Sequence, residues 1–370
     1  MRVLCHDCGT ETEFTLEGWR CDCGGAWEPA TLPDFDPEKI NPEGRSIWRY
    51  GDLLGLDVRS PLRRMGVGWT PLVPVKFGKH DIYLKLEYLS PSGSFKDRGV
   101  NAMVNQLAVM GAKTVVEDSS GNAGASLAAH AARFGLRAEI YVPAYASPAK
   151  QHQIAVYGAA VRPIPGLRKA AEEAAQAAVG PGTAYASHAY NPAYLAGQVT
   201  AAYEIWEQLG RCAPDWVFLP TAQGGQFLGL WFGFSRLLAA GLVDHLPRLI
   251  AVQAARVAPI YEAWQAGLDR IPAVEPAGQT TVAEGVAILQ PVRDRRLLQA
   301  LRETNGMALA VEEEAILEAQ GALAGLGYYV EPTSAVAVAG FQAVAEGIGE
   351  GETVIIPLTG NGLKGAPTKV

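Results

Sequence analysis

A lysine in a stretch of small, turn-forming residues is the first candidate for chemistry. Lys96 lies within residues 92–99 (SGSFKDRG), where a helix is predicted to begin. The helix dipole disfavours a positive charge at this end, and burial would lower the lysine pKa further. A neutral amine is what Schiff-base chemistry with a carbonyl compound requires. A surface lysine flanked by turn residues is the alternative interpretation.

Two further loops follow predicted strands and precede predicted helices. In residues 118–126 (DSSGNAGAS), small side chains let a flat ligand approach the N–H groups of a helix N-terminus, and Asn122 could donate to a ligand oxygen. Residues 220–226 (PTAQGGQ) are a glycine-rich turn of the kind that holds phosphate. This turn matches neither the dinucleotide fingerprint nor the P-loop. A helix N-cap and a tight strand–helix turn are the plainer alternatives.

A fourth loop follows the last predicted strand. Residues 357–365 (PLTGNGLKG) carry Thr359, whose hydroxyl we expect to point into a cleft with the other loops. A plain C-terminal loop is the alternative. Together the four loops offer an amine, a donor to an oxygen, a phosphate turn and a hydroxyl. Pyridoxal phosphate needs this set for its aldehyde, phenolic oxygen, phosphate and ring nitrogen.

The cysteines are concentrated at the N-terminus. Cys5 and Cys8 are separated by two residues, and Cys21 and Cys23 by one residue. Two close pairs indicate a zinc ribbon with thiolate ligands, although the second pair is tighter than usual and His6 could replace one ligand. Reduced thiols without a metal are the alternative. Five cysteines in the chain are too few for a disulfide scaffold, so we expect a reducing, cytoplasmic location.

Composition limits the class of protein. The 370 residues are 49% hydrophobic and 19% charged, which is enough apolar material for about two domains. The net charge of −7 argues against nucleic acid or an anionic membrane as a partner. Neither a run of 18 apolar residues nor a secretory signal is visible, so no membrane association is expected.

The chain falls into three predicted parts. Residues 1–28 form the cysteine-rich segment, and the proline-rich residues 29–68 form an extended arm. From residue 69 to 370, strands alternate with helices. The predicted strands include residues 82–86 and 114–117, and the predicted helices include residues 123–134, closed by Gly135, and 228–240. This α/β alternation predicts two doubly wound parallel-sheet halves around a central cleft, the smaller at about residues 105–190.

At these motifs the sequence resembles the fold-type-II (tryptophan synthase beta-like) pyridoxal-phosphate enzymes, and within them the threonine synthase-like branch. The resemblance covers residues 69–363 and is most specific at residues 93–99 (GSFKDRG). It implies a homodimer and a small amino-acid substrate. It also implies that Lys96 binds the cofactor aldehyde, that Asn122 contacts the phenolic oxygen and that Thr359 faces the ring nitrogen. It further implies that the cofactor phosphate is bound by the turn Ala222, Gln223, Gly224, Gly225 and Gln226. We assign Ser94, Ser119 and Ser120 to substrate binding.

The sequence departs from the threonine synthase pattern at several positions. Ala123 stands where threonine is usual, Ala196 where glutamate is usual and Asn361 where histidine is usual, and Gln223 replaces glycine or asparagine. Residues 147–150 (SPAK) and 280–288 (TTVAEGVAI) are similar to serine/threonine dehydratases.

The resemblance predicts a lyase that converts O-phosphohomoserine to threonine and phosphate. Lys96 would be the base that removes the α-proton. Serine/threonine dehydration and β-replacement on the same fold are the alternatives within the family. A non-catalytic protein on the same scaffold is a further alternative.

Overall fold

The structure, a computed structural model, describes residues 1–57, 65–146, 148–273 and 280–364, and for residues 148–150 the backbone only. Ser147 of the dehydratase-like stretch lies outside these residues. The strands in chain order are β1 (Arg2–Cys5), β2 (Glu11–Glu13), β3 (Trp27–Pro29), β4 (Leu72–Phe77), β5 (His80–Lys85), β6 (Thr114–Glu117), β7 (Arg137–Pro143), β8 (Ala160–Ile164), β9 (Thr183–Tyr185), β10 (Trp216–Pro220), β11 (Arg248–Ala254), β12 (Met307–Val311) and β13 (Val354–Pro357).

The helices mostly alternate with these strands from residue 96 onward, as the sequence predicts. They are α1 (Lys96–Val109), α2 (Asn122–Phe134), α3 (Pro148–Val156), α4 (Arg168–Ala177), α5 (Pro192–Gln208), α6 (Gly225–Ala239), α7 (Pro259–Gln265), α8 (Asp294–Glu303), α9 (Glu313–Gly325) and α10 (Pro332–Val344). Among the residues that the structure describes, no strand separates α7 from α8 or α9 from α10, and α7, α8, β8 and β12 were not predicted. The predicted arm contains short 3-10 turns at Pro37–Lys39 and Ile47–Leu53. No helix in the described ranges is long and apolar enough to cross a membrane.

The chain divides into two compact units. Unit 1 consists of Met1–Trp69 and Ser90–Gln198, and unit 2 of Thr70–Leu89 and the chain from Val199 onward. Unit 1 thus takes in more of the chain than the predicted smaller half at about residues 105–190. Helix α1 belongs to it because α1 packs along α2, a long-range contact that periodicity does not encode.

Unit 1 contains a parallel sheet and the N-terminal segment. The parallel sheet has the strand order β8-β7-β6-β9, and β1–β3 form a separate antiparallel sheet in the order β2-β1-β3. Side chains of the N-terminal segment, among them Val3, Cys5 and Trp27, share one buried cluster with Val100 of α1 and Ile140 of β7. The segment therefore adds to the core of unit 1.

Unit 2 contains a six-stranded sheet in the order β12-β11-β10-β13-β5-β4. All neighbours are parallel except β4 and β5, which pair antiparallel through a turn at Gly78, where φ is +62°. The sequence predicted only the second strand of this hairpin, because Pro74 interrupts the first one and proline argues against a strand. Buried residues of β10, β11 and β13 pack against α10.

Each parallel sheet has one point where the strand order reverses. In unit 1 the chain runs from β6 to β7 and β8 on one side and then returns to place β9 on the other. In unit 2 it runs from β10 to β11 and β12 and then returns to β13. The loops at the carboxyl ends of these strands diverge, and such switch points are where open α/β sheets bind ligands.

Candidate active site

Lys96 is the first residue of α1, as predicted. Its side chain is partly exposed. Burial lowers the pKa of its amine to about 8, and the positive charge of Arg168 lowers it as well, while the negative charge of Glu117 opposes the shift. A substantial fraction of the amine is therefore neutral near pH 8, which is the form that attacks a carbonyl group.

Asp97 holds the loop in front of Lys96. Its buried carboxylate accepts hydrogen bonds from the backbone N–H and the hydroxyl of Ser92, at 2.7 and 2.6 Å, and from the hydroxyl of Ser126 on α2. These bonds tie the start of α1 to its neighbouring helix. The hydroxyl of Ser94 is buried and has no hydrogen-bond partner within the described residues, which leaves it available to a ligand.

The loop after β6 closes tightly onto α2. The hydroxyl of Ser119 accepts a hydrogen bond from Gly121, and Ser120 follows it in the same turn. A Cβ atom at Gly124 would lie 1.9 Å from the carbonyl oxygen of Ser119, so this approach requires glycine. Asn122 is the first residue of the 13-residue α2, whose N-terminus carries no side-chain cap. Its first N–H groups are thus suited to an anionic ligand.

In unit 2, the turn between β10 and α6 also depends on glycine. Gly224 has a φ of +76°, and a Cβ atom there would lie 2.3 Å from the side chain of Leu297. Helix α6 begins at Gly225, three residues earlier than the predicted start at residue 228. Gly224 is the N-cap residue and Gly225 is the first residue of the helix. Ala222 packs against the core of unit 2, and Gln223 accepts a hydrogen bond from the backbone N–H of Val292 at 2.9 Å.

The first turn of α6 fits a phosphate group. The helix has 15 residues and no side-chain cap, so its first N–H groups carry the positive end of the dipole. Gln226 is only 4% exposed, and neither atom of its amide has a hydrogen-bond partner in the described part of the chain. A buried amide without hydrogen bonds lowers the stability of the fold unless a ligand supplies the missing donor and acceptor.

Thr359 lies just beyond β13 in unit 2. It is buried, and its hydroxyl oxygen lies 3.0 Å from that of Ser334 on α10. The Ser334 hydroxyl in turn accepts a hydrogen bond from the backbone N–H of Gly360 at 2.8 Å. The pair therefore offers neutral hydroxyl groups to a ligand. Ser334 was not among the predicted site residues, although it lies in residues 331–335 (EPTSA), which resemble a motif of the threonine synthase-like branch.

Two other residues of the Lys96 region were missed by sequence reasoning. Glu117 ends β6 and His188 follows β9, so both lie at the switch point of unit 1. A carboxylate at the end of an otherwise apolar strand was a signal for Glu117. No feature of the sequence pointed to His188, because its contact with Glu117 joins residues 71 positions apart.

Close packing of α5 fixes the position of α1. A Cβ atom at Gly99 would lie 2.4 Å from the ring of Tyr194, and one at Gly197 would lie 2.3 Å from the carbonyl oxygen of Arg98. The amide of Gln198 also donates to the carbonyl oxygen of Phe95, the residue before Lys96. Two glycines thus let the helices approach at the turn that carries the lysine.

Gly99→Ala tests this packing. The added methyl group must displace a fully buried tyrosine ring, so we expect the free energy of unfolding to fall by about 1–3 kcal/mol. The control is Gly321→Ala in α9, where nothing lies within 4 Å of the added Cβ. It should stabilise by about 0.5–1 kcal/mol through helix propensity. Urea unfolding measures both; equal effects would contradict the role of close packing.

The four N-terminal cysteines come together in unit 1. Their sulfur atoms lie within 4.8 Å of one another, with Cys5 and Cys23 at 3.4 Å and Cys8 and Cys21 at 3.5 Å. Four thiolates on one zinc ion at tetrahedral angles lie about 3.8 Å apart. The donor set therefore fits a closed tetrahedral site. Burial raises the pKa of Cys5 to about 12, whereas hydrogen bonds with the side chain and backbone of Thr10 lower the pKa of Cys8 to about 6.

Comparison with known proteins agrees with this chemistry. The model of the pyridoxal-phosphate dependent enzyme family matches residues 63–360. The threonine synthase of Methanocaldococcus jannaschii is 33% identical over 98% of this chain and 93% of its own length. That of Methanosarcina acetivorans is 34% identical over 100% of this chain and 93% of its own length.

Solved structures show the same fold. The T.th. threonine deaminase superposes with a TM-score of 0.69 at 29% identity, covering 80% of this chain and 94% of that one. A fungal L-serine ammonia-lyase from Rhizomucor miehei, at 22% identity and a TM-score of 0.68, shares the fold over 79% of this chain and 93% of its own. The chain belongs to the pyridoxal-phosphate dependent enzymes, as a lyase of the fold-type-II, threonine synthase-like branch.

Proposed function

We propose that this enzyme converts O-phosphohomoserine to threonine and phosphate. The observation that carries the proposal is a lysine of lowered pKa at the head of α1, in a chain one-third identical along nearly its whole length to proteins named threonine synthase. The substrate is thus a small amino acid with a leaving group on its side chain. A homodimer remains a prediction from the resemblance, and a cytoplasmic location remains a prediction from the small number of cysteines.

The cofactor is assigned to the residues that fit its groups. Lys96 binds the aldehyde carbon of the cofactor. Asn122 contacts its phenolic oxygen, and Thr359 faces its ring nitrogen. The first turn of α6 takes the phosphate, with residues 222–226 as its frame. Bound pyridoxal phosphate withdraws electrons from the α-carbon of the amino acid. Ser94, Ser119 and Ser120 are assigned to the substrate.

The chain's own groups then supply the proton transfers. The freed amine of Lys96 takes the α-proton, and its lowered pKa keeps it available as a base near neutral pH. Asp97 keeps the preceding loop in place while the lysine changes partner. The uncapped N-terminus of α2 holds a carboxylate through backbone N–H groups.

Serine/threonine deamination is the second candidate, and specific residues favour it. Ala123 in the first turn of α2 and Ala196 in α5 are buried methyl side chains that cannot bind a phosphate ester. Asn361 uses its side-chain oxygen to accept from the backbone N–H of Leu363. The superposition with a threonine deaminase supports the same candidate. β-Replacement on a small amino acid uses the same groups.

Turnover assays separate the candidates. The holoenzyme is offered O-phospho-L-homoserine, L-threonine and L-serine separately, and phosphate, keto acid and threonine are measured. Phosphate release coupled to threonine formation is the expected result. Keto acid from serine or threonine, without reaction of the phosphate ester, would replace the first proposal by the second.

We also propose that the four thiols bind one zinc ion. The wild type should then contain about one equivalent of zinc by elemental analysis. Cys21→Ser should lose it and unfold more easily, because the buried site shares the core of unit 1. Cys212→Ser is the control, since Cys212 is exposed and outside the cluster. Zinc-free wild-type protein of unchanged stability would contradict the proposal.

A further inference from the structure

Glu117 is a buried carboxyl group that the proposed reaction does not use. It is 1% exposed and ends β6 at the switch point of unit 1. Its Oε1 lies 2.6 Å from Nδ1 of His188, whereas its Oε2 is buried with no hydrogen-bond partner in the described residues. A carboxyl buried in this way is costly unless a charge or a proton compensates it.

Packing connects this pair to the helix of Lys96. The ring of His188 lies edge-to-face against that of Tyr194, with centroids 6.1 Å apart. The same tyrosine ring touches Gly99, one turn after Lys96 on α1. The carboxyl, the imidazole, the phenol and the lysine helix are thus held in one contiguous arrangement within unit 1.

The charged groups coupled to Glu117 come from its chain neighbour, from α1 and from α4. Asp118 follows it on the chain, Lys96 comes from α1 and Arg168 from α4. Burial, and then Asp118, raise the pKa of Glu117 well above its usual range, while Lys96 and Arg168 lower it. In return, the charge of Glu117 raises the pKa of Lys96 against the effect of burial.

Two phenols complete these surroundings. Tyr185 of β9 donates a hydrogen bond to Asp118 at 2.6 Å, and burial raises its pKa. Burial also raises the pKa of Tyr194, with Glu117 as the next cause. Both phenols are therefore neutral, and Lys96 and Arg168 are the cations coupled to Glu117.

We propose that Glu117, fixed by His188, is a positioning residue that supplies the negative charge compensating the ammonium form of Lys96. When the amine of Lys96 takes the α-proton from the substrate, its new positive charge is balanced by the Glu117 carboxylate, and that charge is lost again when the lysine gives the proton up. An ammonium that forms where water is partly excluded would otherwise lack a compensating charge. The inference rests on the proposed role of Lys96 and adds the group that stabilises its protonated form.

The test measures the protonation of the Lys96 amine directly. Full-length enzyme is freed of cofactor and acetylated briefly at pH 6–10, and modification of Lys96 is quantified by mass spectrometry, with exposed Lys113 as internal reference. The wild-type midpoint should lie near about pH 8. In Glu117→Gln it should fall by about one unit, because the compensating charge is gone.

Matched variants distinguish charge from packing. Glu117→Asp keeps the charge and should keep the midpoint. Glu139→Gln removes a carboxylate that pairs with Arg162 in the same sheet and should leave the midpoint unchanged. His188→Ala should lower the Lys96 midpoint by less than Glu117→Gln does. If Glu117→Gln does not fold, His188→Ala replaces it in the test. A Lys96 midpoint that is the same in folded Glu117→Gln and wild type would overturn the inference.

The holoenzyme provides a second readout. With the substrate that the turnover assays identify, Glu117→Gln should lower kcat about tenfold and leave KM nearly unchanged, since the ammonium forms after binding. An unchanged Lys96 midpoint in Glu117→Gln would overturn the role of Glu117 but would not affect the proposed reaction. Failure of the turnover assays leaves the titration valid.

Discussion

Lys96→Ala is expected to lower turnover by at least about 10³-fold and to abolish covalent attachment of the cofactor. The variant loses both the amine that binds the aldehyde and the base that takes the α-proton. Borohydride reduction followed by mass spectrometry should label residue 96 in the wild type and nothing in the variant. Activity is measured with the substrate that the wild type turns over.

Lys113→Ala is the matched control for this variant. Lys113 is an exposed lysine of the same unit, directly before β6, and its replacement should leave both activity and labelling unchanged. If Lys96→Ala kept more than a tenth of the activity, or if label appeared on another lysine, the assignment of Lys96 would be wrong.

Glu204→Gln is expected to cause the largest loss of stability, about 3–5 kcal/mol. The ammonium of Lys85 on β5 lies 2.9 Å from Glu204 on α5, and both side chains are completely buried in unit 2. Lys85 also donates to the carbonyl oxygen of Thr70 at 2.6 Å and to the amide oxygen of Gln208 at 2.8 Å. These neutral acceptors remain in the variant, but the buried ammonium loses the carboxylate that lies 2.9 Å from it.

Two further variants separate the charge from the packing. Lys85→Met combined with Glu204→Leu removes both charges and should recover most of the lost stability. Glu11→Gln breaks an exposed pair with Arg2 and should cost at most about 1 kcal/mol. Urea unfolding measures all three; if the double variant were less stable than Glu204→Gln, uncompensated charge would not be the cause.

Local features of the sequence were sufficient for much of the secondary structure and for the reactive lysine. The strand at residues 114–117 was predicted with its observed bounds, and α2 ends before Gly135, which has a φ of +72°. Lys96 was placed at the start of a helix from the turn residues before it. These predictions succeed because periodicity and helix termination depend on residues a few positions apart.

The residues proposed to bind the cofactor show where prediction from local sequence stops. Gly224 and Gly225 were recognised as a phosphate turn, but the start of α6 was misplaced by three residues because glycine is a weak helix signal. Ser334 was overlooked because its hydrogen bond to Gly360 joins residues 26 positions apart. The antiparallel pairing of β4 with β5 was likewise absent from the prediction.

The sequence by itself determined the α/β class, the order of most strands and helices, the pyridoxal-phosphate family and the lysine that its motif contains. Only the tertiary structure decided the strand order of each sheet, the burial of Lys85 with Glu204 across 119 residues and the contact of Glu117 with His188. The reason is physical. Secondary structure reflects interactions between near neighbours in the chain, whereas a buried charge acquires its partner only when distant segments pack together and exclude water.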